Sequence, residues 1–153
     1  MATEKISGDG GTILAAGDPL IVELISDAGG DAKPGLLVQQ TAETTCGVTQ
    51  RTKSMGVAME SEELDIDSVF AQYAVVRIVL LGCGCIVRSF MDQQGSASVY
   101  VGNLVITGCS TSGTWDLAGT MTNSDISLLV GRVGRFDATT DGSLKVGWLM
   151  LSI

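Results

Sequence analysis

Ala74-Val75-Val76-Arg77-Ile78-Val79-Leu80-Leu81 decides the fold class, with Arg77 its only charge. Val and Ile are stiff at χ1 and favour a pleated backbone over a helix. After Gly82 the apolar run resumes as Cys83 to Phe90, so a bend or bulge is expected at Gly82 or Gly84. The same pattern returns on either side, as short β-branched runs closed by turn clusters. Leu20 to Ile25 reads as a strand buried on nearly both faces, ended by Ser26-Asp27-Ala28-Gly29-Gly30-Asp31. Leu36-Leu37-Val38 follows Pro34-Gly35, and further runs cover Met55–Met59, Val99–Val101, Leu104–Ile106, Ile126–Val130 and Leu144–Ile153. Asp141-Gly142 is a hairpin-turn signal, and Leu144, Val146, Trp148 and Met150 beyond it share one strand face. Many short strands between turn clusters predict an all-β fold, a small β-sandwich or barrel-like domain. That domain spans 13–153, behind a flexible N-terminal arm over 1–12. Only Ser61 to Tyr73, with Leu64, Val69, Phe70 and Tyr73 as its apolar positions, suits a helix, so at most one short helix is expected.

An internal repeat of order, not of fixed period, runs through these segments. Ala16-Gly17-Asp18-Pro19-Leu20-Ile21 parallels Val101-Gly102-Asn103-Leu104-Val105-Ile106. Met55-Gly56-Val57-Ala58-Met59 parallels Val130-Gly131-Arg132-Val133-Gly134, and Ala74–Leu81 is matched by Leu144–Leu151. Two related β units packed together would produce this order.

The 153 residues include no histidine, which removes the commonest general base and the His-based triads and zinc sites. Only 17% of residues are charged, against a usual share of about 25%. The net charge is −8 and the nine basic residues are scattered, which argues against direct nucleic-acid binding. The longest uncharged apolar run, Ile78 to Val87, is half the ~20 residues of a spanning helix, so no membrane partner is expected. Without a signal-peptide core at the N-terminus, synthesis in a reducing cytoplasm is expected, with all four cysteines as thiols.

Cys83-Gly84-Cys85 would place two thiols on one strand face. Cys46 and Cys109 lack the close-spaced partners of a structural zinc site, so core packing is the reading for all four. The acidic set Glu60, Glu62, Glu63, Asp65 and Asp67 departs from a calcium loop, because Phe70 stands where that loop turns on Gly. It reads as a solvated loop or helix start. No phosphate loop or dinucleotide fingerprint occurs. Neither a cofactor nor a metal is expected, and no catalytic residue is assigned.

Gly11-Thr12-Ile13-Leu14-Ala15-Ala16-Gly17-Asp18-Pro19-Leu20 and Met55-Gly56-Val57-Ala58-Met59-Glu60 carry a family resemblance, with a second copy in Val130-Gly131-Arg132-Val133 and Leu144-Lys145-Val146-Gly147-Trp148-Leu149. In that order they resemble the capsid cement, or head decoration, proteins of tailed bacteriophages, over about half of the chain. The resemblance implies a non-enzymatic virion protein on the capsid exterior, made in the host cytoplasm and bound to the major capsid protein. It favours a homo-oligomer, a trimer above others. The N-terminal segment is too Gly-rich to build a core of its own and would add to an open strand edge of a partner. Lys5, Ile6, Ile13 and Leu14 are the expected partner-interface residues. The alternative from another class is a small non-enzymatic β-barrel module binding carbohydrate, against which the 5% aromatic content speaks.

Overall fold

The computed structural model describes residues 13–50, 52–60, 69–91, 99–100, 102–108, 112–118, 125–141 and 144–150. Its strands are β1 (Leu14–Ala16), β2 (Ile21–Ser26), β3 (Leu37–Gln40), β4 (Thr45–Val48), β5 (Gly56–Met59) and β6 (Val75–Leu80), then β7 (Ile86–Met91), β8 (Leu104–Thr107), β9 (Trp115–Leu117), β10 (Leu129–Asp141) and β11 (Leu144–Met150). β2, β4, β3, β5 and β6 pair in that order, and β6 returns to β2 to close a barrel. The second sheet runs β1-β7-β11-β10-β8-β9. Met91 of β7 also pairs with Trp115 of β9, so β7, β11, β10, β8 and β9 form a second ring with β1 on the edge of β7. The chain is an all-β pair of barrel-like units.

The two rings share one topology and one register. Each has a single parallel pairing: Ser26 opposite Cys46 in the first and Met91 opposite Trp115 in the second. Going round, Val38–Val48 has its counterpart in Val105–Leu117, and Val38–Gly56 in Val105–Gly131. Val57–Val79 then corresponds to Arg132–Met150, and Ile21–Val79 to Ile86–Met150, which closes both circuits without a slip. Bonds outside the ladders agree. Gly35 N–H donates to Ala58 O at 2.8 Å, and Gly102 N–H to Val133 O at 2.7 Å. Ala58 N–H donates to Leu36 O at 3.0 Å, and Val133 N–H to Asn103 O at 2.9 Å. Gly35 and Gly102 carry φ of 92° and 90°, a region glycine enters without a Cβ penalty.

Two parallels of the sequence repeat lie where the structure places them, β5 with the start of β10 and β6 with β11. The third needs correction. The turn at Gly17 leads into β2, whose counterpart is β7; the turn at Gly102 answers the one at Gly35 instead. A Gly turn feeding an apolar strand occurs in both places, so composition alone mispaired them. The break expected after Leu81 is also more than a bulge. Gly82 and Gly84, with φ of 85° and 73°, carry the chain from the last strand of one barrel to the first strand of the other.

Strand alternation sorts each face. Inside the first barrel Val38, Cys46, Ala58, Val76 and Ile78 pack with Ala32 and Phe70. On its outer face Leu37, Val57, Met59 and Val79 are also buried, in one cluster with Ile13, Cys85, Val87, Phe90, Met91, Val105, Trp115, Val130 and Val133. An apolar face carried outward is what joins the barrels, each such side chain contributing roughly 1.5–3 kcal/mol. Ser89 hydroxyl donates to Gly35 O at 2.7 Å and Leu37 N–H to Gly113 O at 2.6 Å across the same contact.

Residues 61–68 of the expected helix lie outside the described residues, and Val69 to Tyr73 form a loop and turn. Asp125–Leu128 is a 3-10 turn, so the strand read from Ile126 begins only at Leu129. Val99 and Tyr100 are not strand. The hairpin at Asp141 stands, with Asp141 opposite Leu144, while the side chains of 144–150 lie outside the described residues. Among the described residues no helix is long and apolar enough to cross a membrane.

Candidate docking surface

β2 alternates strictly between exposed and more buried positions. Ile21, Glu23 and Ile25 face outward and are exposed, while Val22, Leu24 and Ser26 turn inward. The reading of Leu20–Ile25 as buried on both faces is therefore corrected on the outward one. Directly opposite, β6 presents Val79, Arg77 and Val75. Ile25 and Val75 face each other at 38% and 53% exposure. Leu20 lies open beyond Ile21, and Tyr73 stands 67% exposed beyond Val75. Tyr73 has φ of 65°, a left-handed conformation that costs a non-glycine residue of order 1–3 kcal/mol. Its N–H donates to Ser26 O at 3.0 Å, which fixes the turn beside the end of β2. Between the apolar ends, Arg77 Nε and Glu23 Oε1 stand 4.0 Å apart in solvent, a pair worth at most about 1 kcal/mol. Exposed apolar side chains at both ends of a charged middle make this face the candidate docking surface.

One edge of this strand pairs with β4 only over its second half, at Ile25 and Ser26. Ser26 N–H donates to Ala74 O, and Leu80 N–H to Leu20 O, so even-numbered positions face β6. Odd-numbered positions face the other edge, where Ile25 N–H reaches Thr44 O and Asp27 N–H reaches Cys46 O, both at 2.9 Å. Glu23 N–H points the same way and meets no acceptor among the described residues. Its counterpart on β7 is Arg88, whose N–H donates to Ile13 O at 2.9 Å.

Of the expected interface residues, Lys5 and Ile6 lie outside the described residues. Ile13 is fully buried within its own chain, and its N–H donates to the Glu60 carboxylate at 3.0 Å. Leu14 is half-buried and pairs with Val87. These two therefore add a strand to β7 of the same molecule. The β2 surface was missed, although Glu23 inside an apolar run was the signal for an outward face.

Cys46, Cys83 and Cys85 are free thiols, and Cys109 lies outside the described residues. Burial pushes the Cys46 thiol up to about 11, helped by the nearby Asp27 charge. Burial also raises Cys85 to about 11, followed by its hydrogen bond with Cys83 and the charges of Cys83 and Asp18. Protonated, buried thiols are weak nucleophiles and metal ligands, which fits packing. Of the acidic set, only Glu60 is among the described residues, and it is spent on Ile13. A separate open recess of about 240 Å³ is lined by Asp27, Gly29, Asp31, Gln39, Thr41, Val48 and Gln50, with no aromatic side chain in its wall.

No protein-family model matches the chain, and no curated protein matches it.

Proposed function

We propose that the protein is a non-enzymatic structural component that binds the outside of an assembled phage-type capsid and braces it, self-associated on the shell. The observation that carries this reading is the β2–β6 surface, where Ile21, Ile25 and Val75 remain open to solvent on an otherwise well-packed barrel. A chain with net charge −8 gains solubility from that charge while keeping apolar side chains for assembly. Two barrels joined through a buried apolar face form a compact brace, since neither can turn without exposing Leu37, Val57, Met59 and Val79. The order of turn and strand segments similar to capsid cement proteins supports the shell as the partner, and a trimer as the assembly.

The deciding experiment incubates purified chain with assembled phage shells of the source's own virus and sediments them, alongside a glycan array. Saturable cosedimentation, with shells that withstand heating better, supports the reading. Binding on the array without cosedimentation replaces it with the carbohydrate module, and neither signal overturns both.

A further inference from the structure

Strand by strand, the second barrel has one pairing that the first lacks. On β7, β9 pairs at Met91, and β1 takes the rest of the same edge, with Leu14 opposite Val87 and Ala16 opposite Ile86. Arg88 N–H donates to Ile13 O at 2.9 Å in that pairing. In the first barrel β4 pairs with β2 at Ile25 and Ser26, the counterparts of Phe90 and Met91. β4 begins at Thr45, behind a turn closed by Thr41 N–H on Thr45 O at 3.0 Å, so it reaches no further along β2. Ile21 and Glu23, the counterparts of Ile86 and Arg88, turn their backbone groups to this edge, and among the described residues no strand meets them there. The place that β1 takes on β7 is open on β2.

We propose that the N-terminal segment of a second copy takes this place, antiparallel to β2 as β1 is to β7. Lys5-Ile6 repeats the step Ile13-Leu14: laid on β2 in the register of β1 on β7, Lys5 comes opposite Glu23 and Ile6 opposite Val22. Glu23, its side chain 63% exposed, stands where β7 has Arg88, so a cation suits this seat where Ile13 suits the other. Opposite charges directly across a strand pair favour that register. Two β2 edges laid together about their middle would bring Glu23 against Glu23, which argues against that occupant. Chain direction points to another copy as the donor. β1 runs from Ile13 to Ala16, and β2 follows from the Ala16 end through the turn at Gly17, so residues 1–12 join β1 at the end remote from their own β2. The stretch Ser7 to Thr12 extends to roughly 20 Å at ~3.3 Å per residue, enough to cross to a neighbour. Main-chain hydrogen bonds give an added strand its affinity. Passed from each copy to the next, the contact closes as a ring. It would supply the self-association of a shell protein but requires no capsid, so the two readings can fail separately.

The test uses purified chain alone in sedimentation velocity at about 100 μM, where a specific contact with micromolar Kd is saturated. Wild type is expected to self-associate, and the chain lacking residues 2–11 to stay monomeric with unchanged β-sheet circular dichroism. Lys5→Glu and Glu23→Lys each set like charges across the pairing and are expected to weaken assembly ~10-fold or more. The double variant, which exchanges the two charges, is expected to recover it. Should a variant fail to fold, a synthetic peptide of residues 1–8 added in excess to wild type serves instead, and is expected to dissociate the assembly. A wild type that stays monomeric overturns the proposal. A Glu23 amide protected from exchange in that monomer would give the edge of β2 to its own chain, and an unprotected one would leave it to a strand of another protein. A truncated chain that assembles like wild type, a folded double variant no better than the single ones, or a peptide without effect overturns it too.

Discussion

Gly56 lies flat against the carbonyl of Val79: a Cβ built on Gly56 would come within 2.1 Å of Val79 O, and within 2.8 Å of Ile78 Cγ2. The two strands can close the first barrel only because this position has no side chain. Gly131 stands at the same register position of the second barrel. Gly56→Ala must push β5 off β6, and backbone cannot yield as a flexible side chain does. The expected loss is about 3 kcal/mol or more, with insoluble expression as its extreme form, read by urea denaturation.

Gly35 and Gly102 allow a paired test of the duplication. Both hold φ near 90° and both donate to the strand that starts the return leg of their barrel. Nothing lies within 4 Å of a Cβ at Gly102, so Ala there meets conformational strain without a clash. Gly102→Ala is expected to lose about 1–2 kcal/mol, and Gly35→Ala at least as much. Denaturation midpoints of the two variants check this. No loss in Gly102→Ala would mean that the turn is not held as described.

The buried thiols set a high-pH limit on stability. Cys46 and Cys85 titrate near 11 in the fold against an ordinary value of 9.0. Between these values the folded chain holds protons that the unfolded chain has released, so stability is full below about pH 9 and falls as pH rises toward 11. Chemical denaturation at pH 8, 9 and 10 should show a falling midpoint. Replacing Cys46 and Cys85 by Ala lowers stability at pH 8 through lost packing, and is expected to flatten the decline above pH 9. A decline of unchanged steepness in that variant would assign it to other groups.

Local chemistry made the strands legible and long-range pairing hid their partners. The run around Ile78 and the resumption at Ile86 were readable from β-branched content, and Gly82 from its position between them. That they belong to different barrels was not, because ring membership is decided by which strand each one meets across the sheet. The same reason spoiled one parallel of the repeat. β2 and β8 both follow a Gly turn with aliphatic residues, while the matching strand of β2 is β7, where Arg88 replaces Glu23 and Phe90 replaces Ile25. Those replacements follow from what covers each strand. Phe90 packs under Lys33, whereas Ile25 faces solvent. The place of Ile13 and Leu14 within their own chain was hidden for a related reason. An apolar Ile13-Leu14 after Gly-rich sequence looks like a segment seeking a strand edge, and the edge it takes is β7 of its own chain. Burial of Ile13 could not be read without knowing that β7 lay beside it.

The amides of Glu23 and Arg88 test the account most directly, since they occupy one position in two copies of one barrel. Arg88 N–H is bonded to Ile13 O, whereas Glu23 N–H faces an edge with no acceptor among the described residues. Residue-resolved hydrogen exchange on dilute chain is expected to find Arg88 protected and Glu23 fast, with Glu23 slowing as concentration rises and copies dock. Equal and strong protection of both amides in dilute monomer would contradict the account, because β2 would then already be covered.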